Sequence, residues 1–123
     1  MRIITPFIPD KKIVQILTRF HYDNLLDSGV KIYEYTPGFI HGKTFVSDGE
    51  CAVVGTINLD YRSLYLHFEC ATYLYNVPII DNIYKDFLRT IRVSKKINKD
   101  VWEKRSLSKK IVESILRMFA PLV

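Results

Sequence analysis

Hydrophobic residues follow two spacings along this chain, and the alternation between them predicts an α/β domain. Short runs rich in β-branched and aromatic residues predict five strands, at 2–5, 30–35, 39–47, 50–57 and 66–75. Between them, apolar residues recur at helical spacing from Ile13 to Leu25 and from Ile79 to Arg92. Asp10 and Gly29 are the predicted N-cap and C′ residues of the first helix. The strand, helix, strand order at the start of the chain predicts that its first two strands are parallel.

Asp48-Gly49 stands between two β-rich runs and predicts a tight hairpin. A two-residue type I′ turn needs positive φ at both central positions, which Asp-Gly supplies. With that turn, Lys43 is expected opposite Val54, and His41 opposite Thr56. The hairpin therefore predicts that His41, Lys43, Thr56 and Asn58 project to one side of the sheet.

This predicted polar face suits an anion with several oxygen atoms, such as a phosphate. Lys43 supplies positive charge, Thr56 and Asn58 donate hydrogen bonds, and His41 is able to attack phosphorus or carry a proton near neutral pH. The alternative is a hairpin whose polar face is simply solvated.

The spacing of these residues is specific: His41, Lys43, Asp48, Gly55-Thr56 and Asn58. It resembles the HKD motif of the phospholipase D superfamily, here over residues 41–58. The flanking segments, Val30 to Ile40 and Leu59 to Leu64, look like the second, C-terminal HKD half of a bacterial cardiolipin synthase. The likeness runs over nearly the whole chain. It implies a phospholipase D-like fold, which is a mixed β-sheet flanked by helices in an α/β/α sandwich. The chain would be one half of the usual two-motif unit, with its N-terminal side incomplete.

The resemblance also implies site residues. Glu69, on the strand after the motif, matches the acidic residue that holds the nucleophilic imidazole in the superfamily. Asp48 fills the acidic position of the motif and is counted with the catalytic residues for that reason, although its place in a turn indicates a structural role. Ser63 adds a hydroxyl for a phosphate oxygen. The implied reaction is phosphatidyl transfer from phosphatidylglycerol through a phosphohistidine, with neither metal nor cofactor.

Composition adds two expectations. The 123 residues predict a single domain with a net charge of +5 and pI near 9.2, which favours acidic partners such as phosphate esters and an anionic membrane surface. Cys51 and Cys70 are expected to be free thiols.

The 106–120 segment is either a core helix or a basic amphipathic helix in a membrane interface, and the resemblance favours the membrane. No segment is expected to span a bilayer, so the chain is predicted to act peripherally at the cytoplasmic face of the cell membrane.

A single HKD motif leaves the catalytic unit incomplete, because one histidine does not supply both the nucleophile and the general acid. A homodimer, a separately encoded first half and an inactive membrane-binding remnant are all open. The resemblance favours a C-terminal fragment that needs a second HKD half. The rival enzyme is a single-motif homodimeric phosphodiesterase or endonuclease. Nucleic acid is not the expected partner, because the sequence lacks an obvious basic, aromatic-interleaved groove.

Overall fold

The computed structural model describes residues 1–60 and 62–105, and over these it has the predicted α/β class. The chain divides into two compact units. Among the described residues, the first contains Met1–Ile40 and residues 93–105, and the second contains His41–Arg92. Each unit has its own three-stranded sheet, where the sequence predicts one mixed sheet. The predicted amphipathic helix at 106–120 lies outside the described residues.

The first unit is a strand, helix, strand arrangement completed by a later strand and helix. Its elements are β1 (Arg2–Pro6), α1 (Lys12–Phe20), α2 (Tyr22–Asp27), β2 (Lys31–Tyr35), β6 (Ser94–Lys96) and α4 (Lys99–Glu103). Strands β1 and β2 are parallel, as predicted, and β6 pairs antiparallel with β2. The sheet is therefore mixed, with β2 at its centre.

The single helix predicted between Asp10 and Gly29 is wrong in two details. It is divided at His21 into α1 and α2, and α1 begins after Lys11, which makes no side-chain capping bond. Gly29 has φ +78°, the left-handed conformation predicted for a residue that ends a helix.

The core of the first unit forms around Tyr22, Ile32 and Ile97, with Trp102 packed against them. Glu34 is also buried, and its carboxylate is paired with Arg19 at 2.9 Å. Burial raises the pKa of Tyr22 to about 12, so the hydroxyl stays protonated. It lies 2.6 Å from the Thr5 hydroxyl and 3.4 Å from Glu34 Oε1. The Tyr22 hydroxyl and the Glu34 carboxylate are thus paired inside this core. The buried Nε1 of Trp102 has no hydrogen-bond partner among the described residues.

The second unit is an antiparallel sheet with one long helix. It contains β3 (Lys43–Ser47), β4 (Cys51–Gly55), β5 (Ala71–Tyr75) and α3 (Ile79–Arg92), with β4 in the middle of the sheet. Helix α3 has the predicted bounds and packs against β3 and β4. Ala52 and Ile80 are the buried apolar residues of this unit's described part.

The predicted turn is present, but the predicted strand register is wrong by one residue. Asp48 and Gly49 have φ of +55° and +75°, and Glu50 N–H donates to the Ser47 carbonyl. Ser47 nevertheless pairs with Cys51, so Lys43 lies opposite Gly55 and not Val54. The reason is at Glu50, whose carbonyl accepts the Asn76 N–H at 2.7 Å and so faces the β5 side.

Candidate active site at the open end of the second sheet

Three strand ends meet at the end of the second sheet opposite the Asp48-Gly49 turn. Strand β3 begins at Lys43, which lies opposite the last residue of β4, Gly55. Gly55 in turn lies opposite Ala71, the first residue of β5. Since neighbouring strands are about 4.8 Å apart, the segments that flank these ends come close together. We call this region the open end of the sheet.

The backbone is unusually close at this open end, and Gly55 permits it. A Cβ atom at Gly55 would lie 2.4 Å from the Cys70 carbonyl oxygen and 2.5 Å from the Cα of Ala71. No ordinary side chain fits at that distance. Gly55 thus allows the close approach of β5 to the end of β4.

His41 and Lys43 form the first part of the candidate site. The Lys43 ammonium lies 2.8 Å from Nδ1 and 2.9 Å from Nε2 of His41, and it donates to the His41 carbonyl at 2.8 Å. An ammonium has only donors, so the ring nitrogen that it bonds must carry a lone pair. The contact therefore places a fixed positive charge directly beside the imidazole.

Glu69 is the centre of the second part. Its carboxylate accepts hydrogen bonds from the hydroxyls of Thr56 and Ser63, and these lower its pKa, Thr56 contributing most. The Thr56 hydroxyl in turn accepts from Cys70 N–H at 3.1 Å. Asn58 Nδ2 donates to Ser63 Oγ at 3.4 Å. Both hydroxyls are thus polarised, each accepting on one side and donating to the carboxylate on the other.

The segment between Asn58 and Glu69 is held by Asp60 and by a π-helical turn, Arg62–Leu66. Asp60 Oδ1 accepts the Ser63 N–H at 2.7 Å, in the manner of a helix N-cap. His67 N–H donates to the Arg62 carbonyl at 2.8 Å, the wide hydrogen bond of a π-turn. Ser63 is buried as a result. Single π-turns of this kind are frequent at functional sites.

Sequence reasoning missed the contacts of Asp60, Arg62 and His67. The Arg62 guanidinium lies 2.9 Å from Nε2 of His67, a residue to which the sequence assigned no role. The spacing of Asp60 and Ser63 was the available signal, because an aspartate three residues before a turn's first free N–H is a common cap. Nothing in the sequence indicates a pairing of Arg62 with His67.

Asp48, the acidic residue of the motif, lies at the other end of β3. It occupies the turn, is exposed, and accepts a hydrogen bond from Ser47 Oγ at 2.8 Å. A five-residue strand separates it from the open end of the sheet, about 15 Å at the usual rise per residue. Its place agrees with the structural role that the turn indicates.

The predicted polar face does not form as a register of strand residues. His41, Thr56 and Asn58 lie outside the strands, and the residues that share Lys43's face in the register are Phe45, Val53 and Tyr73. The predicted residues come together instead as two groups in irregular backbone: His41 with Lys43, and Thr56, Asn58 and Ser63 with Glu69. The register shift at Glu50 is the physical cause.

Comparison with known proteins identifies the family of the chain. The family model described as "Cardiolipin synthase, PLD-like domain" matches residues 1–91. The chain belongs to this family. It is 48% identical to an uncharacterized protein of Streptococcus mutans, 42% identical to a cardiolipin synthase of Geobacillus sp. strain WCH70, and 41% identical to cardiolipin synthase 2 of Bacillus anthracis. Each match covers 100% of this chain.

The chain spans about a quarter of the length of these curated relatives, between 24% and 27%. No solved structure gives a significant match. Within the described residues, every helix is too short or too polar to cross a bilayer.

Proposed function

We propose that this chain is the second HKD half of a phosphatidyltransferase of the cardiolipin synthase type. The observation that carries the proposal is the contact of the Lys43 ammonium with the His41 imidazole at the open end of the sheet. A lone-pair nitrogen beside a cation is what attack on an anionic phosphodiester needs, because the cation offsets repulsion between the nucleophile and the phosphate oxygens. The family membership supports the same reading.

In the first step, His41 attacks the phosphorus of phosphatidylglycerol. A P–N bond forms, the P–O bond to glycerol breaks, and glycerol leaves with a proton supplied by the histidine of the other HKD half. After this step, His41 carries the phosphatidyl group on its imidazole. Lys43 stabilises the charge that develops on the non-bridging oxygens.

In the second step, the same partner histidine takes a proton from the free hydroxyl of a second phosphatidylglycerol. That oxygen attacks phosphorus, the P–N bond breaks, and cardiolipin leaves while His41 regains its neutral form. No oxidant, reductant or metal enters the balance. One histidine in each half is needed, since nucleophile and acid act at the same time.

The second group of residues is proposed to bind the phosphate and to orient the site. Asn58 supplies an amide donor for a phosphate oxygen, and the buried Ser63 holds Asn58 in place. The Thr56 hydroxyl donates its one proton to Glu69, so it orients that carboxylate and is not a donor to phosphate. Glu69 is the predicted carboxylate partner of the imidazole. Its bonds to Thr56 and Ser63 keep it ionised, which is the form that role requires.

The proposed setting is the cytoplasmic face of the cell membrane, where the substrate lies. The chain would act there peripherally, as a fragment joined to a first HKD half, with phosphatidylglycerol as substrate and an anionic surface as its support. The net charge of +5 is consistent with this.

A chimera tests the proposal. The 123 residues replace the matching segment of the Geobacillus cardiolipin synthase, to which they are 42% identical over that length. Purified chimera is incubated with phosphatidylglycerol vesicles and the lipids are analysed by mass spectrometry. We expect cardiolipin and free glycerol, and neither from the His41→Ala chimera. A folded chimera that makes no cardiolipin, while the parent enzyme does, would refute the proposal.

The isolated chain is assayed beside it. Cardiolipin made by the chain alone, lost in His41→Ala, would show a homodimeric site in place of a second half. Cleavage of DNA that weakens steeply as salt rises, with no lipid product from either the chain or the chimera, would favour the single-motif endonuclease instead.

A further inference from the structure

Four apolar side chains directly beside the candidate site are exposed to solvent. Leu64, Tyr65, Leu66 and Phe68 are 50%, 77%, 65% and 109% exposed, within the described part of the chain. We call them the apolar rim. In the same π-helical turn the polar Ser63 is only 7% exposed, so this segment buries its hydroxyl and exposes its hydrocarbon. Exposing this much hydrocarbon to water is unfavourable, which indicates a surface that contacts an apolar partner.

The rim is bracketed by two residues of the polar network. Ser63 precedes Leu64, and Glu69 follows Phe68, so the rim lies within a few residues of the proposed phosphate site at both ends. A phospholipid has the same arrangement, with a charged phosphate a short distance from its acyl chains. A phosphate bound at the open end of the sheet therefore places its hydrocarbon beside the rim.

The side-chain types of the rim fit a lipid surface. Arg62, one residue before the buried Ser63, is a cation at the edge of the rim, and its guanidinium bonds Nε2 of His67. The carboxylates of Asp60 and Glu69 lie at the same edge and are hydrogen-bonded within the site, Asp60 by the Ser63 N–H. A tyrosine with leucines and a phenylalanine, edged by an arginine, is typical of segments that enter the boundary between head groups and acyl chains.

We propose that the apolar rim inserts into the anionic bilayer and docks the open end of the sheet onto the membrane surface. This inference rests on the proposed function for the identity of the lipid, and it assigns that contact to four named residues. The rim needs no turnover to bind, so its test is independent of catalysis.

The first test places a reporter in the rim. Phe68→Trp is made in the full chain, and the fluorescence of the parent, which contains Trp102, is subtracted. On adding vesicles that contain phosphatidylglycerol, we expect the difference spectrum to shift to the blue and to be quenched by lipids brominated in the acyl chains. The matched control is Val101→Trp, at an exposed position of α4, whose spectrum should not change. Phe68→Trp with His41→Ala should behave as Phe68→Trp does.

The second test removes the rim. Leu66→Ser with Phe68→Ser is expected to weaken partitioning into these vesicles at least tenfold, because each buried apolar side chain contributes about a tenfold factor or more. Val101→Ser should change it less than about twofold, since single exposed apolar residues contribute little. Circular dichroism and thermal unfolding check that both variants fold.

Three results would overturn the inference. The first is a difference spectrum of the Phe68→Trp variant that vesicles leave unchanged. The second is a Leu66→Ser, Phe68→Ser variant that partitions as the Val101→Ser control does. The third is a blue shift that develops without lipid as protein concentration rises, together with dimers in sedimentation equilibrium, because a second copy would then cover the rim. None of these results bears on cardiolipin formation by the chimera, so the two proposals fail separately.

Discussion

At the residue scale, the arrangement of His41 and Lys43 follows from where β3 begins. Residues two apart on a strand share a face, but His41 lies just before the strand, and the flexible lysine side chain turns back to it. The ammonium also bonds the His41 carbonyl, which fixes its position. A charged donor held by two acceptors is oriented before substrate arrives.

Lys43→Met should therefore damage catalysis and spare the fold. In the chimera we expect the rate of cardiolipin formation to fall on the order of 10²–10³-fold, the usual cost of removing one charge-stabilising donor. Initial rates with phosphatidylglycerol vesicles measure it, and Lys43→Arg, which keeps the charge, should retain more activity than Lys43→Met. Equal losses in the two variants would contradict the electrostatic role.

The lowered pKa of Glu69 makes a prediction about pH. The hydroxyls of Thr56 and then Ser63 bond the ionised carboxylate, so its folded-state pKa lies below the ordinary value of 4.5. Its stabilising contribution is present above that value and is lost as the pH falls through the folded-state pKa. The difference in melting temperature between the wild type and Glu69→Gln should thus be largest near neutral pH and shrink from about pH 5 downward.

Thr56→Val supplies the check on this prediction. Thr56→Val removes the hydrogen bond that lowers the pKa of Glu69 most. The difference in melting temperature between Thr56→Val and Glu69→Gln should therefore change less with pH than the difference between the wild type and Glu69→Gln. Thermal unfolding at several pH values decides the matter. A difference between wild type and Glu69→Gln that is constant down to about pH 3 would contradict the account.

Residue identities at the site were predictable, whereas their contacts were not. The spacing from His41 to Asn58 is a linear pattern, and it indicates phosphate chemistry without any structure. The hydrogen bond from Asn58 to Ser63 and the pairing of Arg62 with His67 depend on a π-helical turn. Such a turn has no periodicity of its own that a sequence displays.

At the element scale, the hairpin turn was predictable and the register was not. Positive φ at Asp48 and Gly49 is a local property of Asp-Gly. The register is decided by Glu50, whose carbonyl bonds Asn76 after β5, 26 residues later. A partner at that separation is not visible to a local pattern. Helix α3 is the opposite case, because its apolar stripe is local and its bounds were correct.

Gly55→Ala tests the close contact of β4 with β5. The added methyl would lie 2.4 Å from the Cys70 carbonyl oxygen and 2.5 Å from Ala71, so the strand ends must separate. We expect a loss of about 1–3 kcal/mol in the free energy of unfolding, measured by urea denaturation. Gly42→Ala, with open space around its Cβ, is the matched control and should cost far less. Equal costs would contradict the packing described.

The buried pair of α1 and β2 makes a second prediction at this scale. Arg19 donates to Glu34 at 2.9 Å, and the Glu34 side chain is only 4% exposed. Arg19→Met leaves a buried, uncompensated carboxylate and should cost on the order of 3 kcal/mol in the free energy of unfolding. Arg19→Met with Glu34→Gln should recover part of this loss, because the charge is gone. No recovery in urea denaturation would contradict the account.

At the scale of the whole molecule, the α/β class was predictable and the division into two sheets was not. Strand and helix spacings are properties of single segments, so the sequence alone indicates the α/β fold class. The pairing of β6 with β2 joins residues about 60 positions apart, and the many charged residues of the 93–104 segment do not indicate a place in a core. Trp102 instead packs against the core through Tyr22, with the Arg105 guanidinium over its ring.

The most direct test of the central claim, that His41 is the nucleophile, is to trap the covalent intermediate. The chimera is mixed briefly with a short-chain phosphatidylglycerol, quenched without acid to preserve the P–N bond, and digested with trypsin. The peptide from Ile32 to Lys43 contains His41 as its only histidine. We expect this peptide to carry the added mass of a phosphatidyl group, and the His41→Ala chimera to carry none there. Cardiolipin formed with the adduct on another peptide, or formed by the His41→Ala chimera, would contradict the account.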